Sequence, residues 1–358
     1  MTTTSFKIKP ISWSEYDHRA SVLLQDENGP CALIALVNTL ILEHQIESRN
    51  VAFGDLHRNV SQERRSRAIE NLQSCLSRSE AEKKSISLDS LLQALGEVLL
   101  ELFENEHYPE YDVDRLVSSL PLLHTGLTVD PILTDITFPQ DDLASVLFGI
   151  FSLSFNHGWC IDPNEDPKVV SFFGQYPTFD RAQDCFIQNP QAHKQAQQWL
   201  AANRSQLTTF GLRKIDEVMG NDELAVFFRN NHFSTLYKKG PGELYLLVTD
   251  EAFSSHSRIV WQSLNSVSGK DELFFTGDFV PVFLDETAEN GGADVSDDYL
   301  LMKQLQEEDD LRMARNMQKS YNKPTVKEEK KKKGKGQKDQ KEEKKGQEKK
   351  KKRDCVVM

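Results

Sequence analysis

Cys31 follows Gly29-Pro30 and heads the run Ala32-Leu33-Ile34-Ala35-Leu36-Val37-Asn38-Thr39-Leu40-Ile41-Leu42, in which Asn38 and Thr39 are the only polar side chains. Proline tolerates the first helical position, where its missing N–H would have had no partner, so Gly29-Pro30 predicts a helix start. Cys31 then falls in the first turn, where free N–H groups and the positive end of the helix dipole favour a thiolate. Six residues upstream, Gln25 offers an amide N–H₂ from the loop Gln25-Asp26-Glu27-Asn28-Gly29-Pro30. A thiol nucleophile and a donor for a developing oxyanion are two of the groups a thiol hydrolase needs. Cysteine is also a common core residue, so Cys31 alone specifies packing as readily as catalysis, and a histidine base has to decide.

Two of the nine histidines stand in motif-like settings. His157 opens the turn-like His157-Gly158-Trp159, and His232 opens the strand-like His232-Phe233-Ser234-Thr235-Leu236-Tyr237. On a strand, His232, Ser234 and Leu236 share one face, and Phe233, Thr235 and Tyr237 share the other. An imidazole carried by such a strand toward the helix start can take the thiol proton and later protonate a leaving amine. Without Cys31, His232 would read as a histidine satisfied within its sheet.

The elements that must position these groups follow from pattern. The run after Cys31 is apolar nearly all round, which predicts a centrally buried helix. Phe6-Lys7-Ile8-Lys9 alternates as a strand does, residues 49–82 are charged and helix-permissive, and 88–103 and 111–120 carry helical apolar spacing. Residues 182–206 are rich in Gln and Ala and predict helix. Leu224-Ala225-Val226-Phe227-Phe228, the His232 strand and Leu244-Tyr245-Leu246-Leu247-Val248-Thr249-Asp250 are separated by Arg229-Asn230-Asn231 and by Lys239-Gly240-Pro241-Gly242. Three short strands with tight turns predict an antiparallel meander, to which Ile259-Val260-Trp261 adds a fourth.

Composition narrows the class. The five cysteines are odd in number, widely spaced and without a C-x-x-C pair, which argues against a disulfide framework and a zinc site. No secretory h-region and no long apolar stretch appear, so a soluble, cytoplasmic protein is expected. Net charge is −12, but residues 321–354 hold 16 Lys and Arg against 7 Asp and Glu. The acidic body would attract a basic protein partner and repel nucleic acid, although a solvated acidic surface with no special partner is the plainer reading.

The order of glutamine, cysteine six residues on, and a distant histidine on antiparallel strands resembles the papain-like cysteine peptidase plan. Gln25-Asp26-Glu27-Asn28-Gly29-Pro30-Cys31, His157-Gly158-Trp159, Val226-Phe227-Phe228-Arg229-Asn230-Asn231-His232-Phe233-Ser234-Thr235 and the strand 244–250 resemble the MINDY family of deubiquitinases, over roughly residues 20–284. The resemblance implies an α+β fold of papain-like type, with a helical N-terminal part whose central cysteine helix packs on an antiparallel sheet carrying the histidine. It implies a cysteine isopeptidase that acts on polyubiquitin and ubiquitinated proteins, prefers lysine-48 linkages, trims from the distal end and needs no cofactor. Carried over by position, Cys31 is the nucleophile, His232 the base and acid, and Gln25 the oxyanion donor. Asp250, Asn230 and Asn231 are candidates to orient His232, with a strand-end turn carboxylate the favoured reading of Asp250. Trp159 reads as core or cleft, with core favoured. The alternative function is a catalytically inactive module that binds ubiquitin chains at a membrane.

These signals divide the chain into a catalytic domain (1–284), a linker with a ubiquitin-binding helix (285–320) and a disordered polybasic tail (321–358). Residues 297–308 resemble the family's ubiquitin-binding helices but place Met302 where a small alanine belongs. Residues 309–318 keep Ala314, with Leu311 and Met317 as flanking apolar contacts. A solvated charged helix is the plain alternative. The chain ends Cys355-Val356-Val357-Met358, a prenylation box whose methionine points to farnesyl transfer, behind Lys349-Lys350-Lys351-Lys352-Arg353. One lipid chain and a basic patch together suit an anionic, cytoplasmic membrane face; a nuclear signal or a nucleic-acid patch competes with that reading.

Overall fold

The computed structural model describes residues 4–13, 18–26, 31–52, 60–103, 111–269 and 272–282. Ser5–Trp13 (β1) buries Phe6 and Ile8 in one core cluster and, past a shift of the alternation at Lys9-Pro10, Ile11 and Trp13 in another, and it is the middle strand of a small sheet. His18–Leu23 (β2) and Ser85–Ser87 (β3) pair with it, both antiparallel. The N-terminal part is thus a mixture of strand and helix rather than helical. Neither flanking strand carries a strong local pattern, and both owe their state to the alternating β1 between them.

The helices of this half are Cys31–Ala52 (α1), Val60–Lys83 (α2), Leu88–Leu102 (α3), Val113–Ser119 (α4), Leu122–Thr125 (α5) and Leu143–Ile150 (α6). Side-chain caps set several starts, as Ser87 does for α3 and Asp112 for α4. Pro167–Gln175 (α7), Phe179–Gln188 (α8), Lys194–Ala202 (α9) and Thr209–Val218 (α10) lie between the halves of the large sheet in sequence.

That sheet has seven strands: Ser154–His157 (β4), Glu223–Arg229 (β5), His232–Gly240 (β6), Glu243–Leu247 (β7), Trp261–Ser263 (β8), Phe274–Phe275 (β9) and Pro281–Val282 (β10), in the order β10-β9-β8-β7-β6-β5-β4. The expected meander is β5 to β8, all antiparallel. The sheet as a whole is mixed, which corrects the antiparallel expectation: β4 lies parallel to β5, with Phe155 opposite Val226. A parallel neighbour needs a long crossover, here 158–222, so no local pattern announces it.

The central strands are covered on both faces, which is why 224–228 read as a continuous apolar run rather than an alternating one. Val226, Phe228 and Phe233 share a cluster with Leu33, Leu36, Val37 and Leu40 of α1. Ala225, Phe227 and Leu236 pack instead with Leu207 and Ile215 at and within α10. The predicted burial of α1 is borne out, since Leu33, Leu36, Val37, Leu40 and Ile41 are all fully buried. No helix among the described residues is long and apolar enough to cross a membrane.

Candidate active site

The chemistry centres on the head of α1. Cys31 is its first residue and is half-buried against the main core cluster. Burial pushes its thiol above the ordinary value of 9.0, while the nearby backbone N–H groups of Phe233, Ala32 and Cys31 pull the other way. The hairpin that carries Phe233 sets its approach. A two-residue turn joins β5 to β6 with Arg229 opposite His232, and both turn residues, Asn230 (φ 51) and Asn231 (φ 58), have the positive φ of a type I′ turn. Strand β7 pairs with β6 from Leu236 onward, so among the described residues no strand flanks the start of β6 on that side. The outward Phe233 N–H there lies near the Cys31 sulfur, one residue from His232.

His232 is half-buried at the first position of β6. Desolvation alone lowers its pKa to about 4, so its ring is neutral at neutral pH. The strand faces divide as expected, Phe233 and Thr235 turning toward α1 and Leu236 packing on the far side; by alternation His232, the first residue of the strand, shares the face of Leu236 rather than that of Phe233.

Gln25 is held by its backbone. It forms a parallel bridge with Asp250, its N–H donating to Thr249 O at 2.6 Å and its C=O accepting from Glu251 N–H at 3.0 Å. Its side chain is half-buried, and residues 27–30, which lead from it to Cys31, lie outside the described residues. Asp250 is exposed, and its carboxylate accepts the Ala252 N–H at 2.8 Å as the cap of the 3-10 turn Glu251–Phe253. Asp250 therefore frames Gln25 through its backbone and caps a turn with its side chain.

Two residues that sequence reasoning left without a role tie these pieces together. Asn38 is fully buried, accepts the Leu23 N–H at 2.8 Å and donates to Leu23 O at 3.0 Å, clamping the strand that leads into Gln25. Thr39, also fully buried, donates to the Thr235 hydroxyl at 3.0 Å, three residues beyond His232. The signal was present: they are the only polar side chains in an otherwise apolar run, adjacent in sequence and therefore aimed about 100° apart around the helix. One reaches the glutamine strand and the other the histidine strand.

His157 and Trp159 are structural. His157 is buried, accepts the Trp159 N–H on Nδ1 at 3.0 Å and sits 3.0 Å from Thr137 O through Nε2. Burial lowers its pKa to about 4, with the Thr137 contact and Asp135 opposing. The Trp159 ring is buried, 5.1 Å from that of Phe179, in agreement with the core reading. Leu311, Ala314, Met317 and Cys355 lie outside the described residues.

A family model described as MINDY deubiquitinase matches residues 4–279. The chain belongs to the MINDY family. It is 30% identical over 350 residues to the ubiquitin carboxyl-terminal hydrolase MIY1 of Saccharomyces cerevisiae, covering 91% of this chain and 87% of that protein. It is also 30% identical over 347 residues to the uncharacterized protein YGL082W of the same yeast, covering 84% and 83% respectively. To the ubiquitin carboxyl-terminal hydrolase MINDY-1 of Danio rerio it is 28% identical over 343 residues, 87% of this chain and 59% of that longer protein. Cys31, His232 and Gln25 all lie within the stretch matched by the family model.

Proposed function

We propose that this chain is a cysteine isopeptidase that hydrolyses polyubiquitin, with Cys31 as nucleophile, His232 as base and acid and Gln25 as oxyanion donor. The observation that carries the reading is the approach of the Phe233 N–H, one residue from His232 in β6, to the Cys31 sulfur at the head of α1. Family membership and the names of MIY1 and MINDY-1 supply the substrate class. A cysteine at a helix head against a strand-borne histidine, with the glutamine upstream, supports a papain-like variant.

The reaction starts from thiol and neutral imidazole. His232 takes the thiol proton as sulfur attacks the carbonyl carbon of the isopeptide's glycine, and the carbonyl electron pair becomes an oxyanion held by the Gln25 amide and the Cys31 N–H. Collapse breaks the C–N bond while imidazolium gives its proton to the departing lysine amine. Water then attacks the thioester with His232 as base, the C–S bond breaks, and the thiol and the ubiquitin carboxyl terminus are released.

Lysine-48 preference, trimming from the distal end and the division into 1–284, 285–320 and 321–358 belong to the same proposal. So do a ubiquitin contact through Leu311, Ala314 and Met317, and farnesylation at Cys355 that tethers the polybasic tail to an anionic membrane. Ubiquitin carrying a C-terminal electrophile is expected to form an adduct with wild type and none with Cys31→Ala. Chains of each linkage are expected to shorten by one unit at a time, lysine-48 chains fastest, and to stay intact with His232→Ala. An adduct that survives Cys31→Ala overturns the assignment. The uncharged resting pair favours one second reading, a chain-binding module: chains bound but never shortened by wild type would establish it. For the tail, Cys355→Ser is expected to move the protein from membrane to soluble fraction.

A further inference from the structure

The motif His157-Gly158-Trp159 and the loop before α10 take no part in that chemistry, yet they meet at the turn that presents His232. A two-residue turn is normally the loosest part of a hairpin, and His232 is the first residue after it. Here the turn is held from outside. The Gln206 side chain, through Oε1, accepts the Asn230 N–H at 2.8 Å. Arg229, the cross-strand neighbour of His232, donates from Nε to Ser205 O and from Nη2 to Val267 O, both at 2.9 Å. One planar guanidinium therefore ties the hairpin end to two separate loops, which a lysine ammonium on a flexible stem does not reproduce.

The loop 203–208 is itself anchored. Leu207 is fully buried and forms a parallel bridge with Gly158. The Thr208 N–H donates to Gly158 O at 2.9 Å, and its hydroxyl to Cys160 O at 2.7 Å. A Cβ on Gly211 would stand 1.9 Å from Gly158 O, so α10 packs backbone to backbone on this segment. His157, bonded through both ring nitrogens to Thr137 and Trp159, fixes the segment that carries Gly158. A continuous set of contacts thus runs from His157 through Gly158, Leu207 and Gln206 to Asn230, two residues before His232.

We propose that Gln206 and Arg229 are positioning residues for His232: by fixing the Asn230-Asn231 turn against the loop 203–208, they hold the imidazole where it serves the Cys31 sulfur. This rests on the reading of Cys31 and His232 as the catalytic pair. Rotation at two positive-φ residues swings the following side chain, and a displacement near 1 Å is enough to cost on the order of 100-fold in rate.

The test is steady-state cleavage of lysine-48 chains by full-length Gln206→Ala, Gln206→Glu and Arg229→Lys, with melting temperature and the pH profile of kcat recorded for each. Gln206→Ala is expected to lower kcat about 10- to 100-fold with KM within twofold of wild type. Gln206→Glu keeps the acceptor oxygen and is expected to restore most of kcat. Arg229→Lys is expected to follow the alanine variant in kcat. The proposal is overturned by wild-type kcat in both Gln206→Ala and Arg229→Lys, by an equal loss in Gln206→Glu, or by a kcat loss that only tracks a lowered melting temperature. Cys31→Ala and His232→Ala run alongside: if either keeps full activity, it is the catalytic assignment that has failed.

Discussion

A thiol raised above 9.0 by burial and an imidazole lowered to about 4 by burial do not start as an ion pair. Each is shifted by desolvation. The nearby backbone N–H groups offset part of the cost of a thiolate, but the thiol stays raised and Cys31 is protonated at neutral pH. Under the proposed assignment, reactivity comes from proton transfer to His232 during attack. Iodoacetamide should accordingly label Cys31 with a rate that climbs through pH 9 and beyond, with no plateau between pH 4 and 8. Mass spectrometry of the Cys31 peptide makes the measurement specific, since Cys75 is also only half-buried and can be labelled alongside it. A flat, fast rate from pH 4 to 8 would mean a resting thiolate–imidazolium pair and would contradict this account.

At the scale of elements, one helix joins the two functional strands through adjacent polar residues. Asn38→Leu strips a buried N–H and a buried C=O at Leu23 of their partners, each loss costing on the order of 1–3 kcal/mol. A fall of about 3 kcal/mol in urea-unfolding free energy is expected, together with a lower kcat because the strand leading to Gln25 is freed. An unfolding curve that overlays wild type would remove Asn38 from this role. The Thr39–Thr235 link is smaller: a double-mutant cycle with valine at each site should give a coupling of about 1 kcal/mol, and additive effects would count against it. The cysteine helix and the two strands flanking Asn230-Asn231 could be read from the chain, because each is written in local periodicity or in a turn that only certain residues make. The parallel strand β4, the bridge between Gln25 and Asp250 and the contact of Gln206 with Asn230 could not. Each joins segments far apart in sequence, where a glutamine or a short apolar run carries no sign of its partner.

For the molecule as a whole, buried titratable groups set opposing slopes in one pH window. His157 and His232 both titrate near 4 when folded, against an ordinary 6.5, because burial disfavours the imidazolium. Between those values the unfolded chain takes up protons that the native chain refuses. Their stabilising contribution is therefore full above 6.5 and lost as pH falls through 4. Glu43 runs the other way. Burial and the neighbouring Glu47 raise its carboxyl to about 7 from 4.5, against the pull of Arg65, whose guanidinium lies 3.0 Å away. The native chain keeps a proton there that the unfolded chain releases, so this contribution is full below 4.5 and lost as pH rises through 7. Two imidazoles outweigh one carboxyl, and the urea midpoint of wild type should fall as pH drops from 6.5 to 4.5. His157→Gln should flatten that slope, and Glu43→Gln should steepen it, whatever each does to absolute stability. The slopes are the decisive readout because a lost hydrogen bond at either site lowers the whole curve without tilting it. Three parallel curves would show that neither residue changes its protonation on folding.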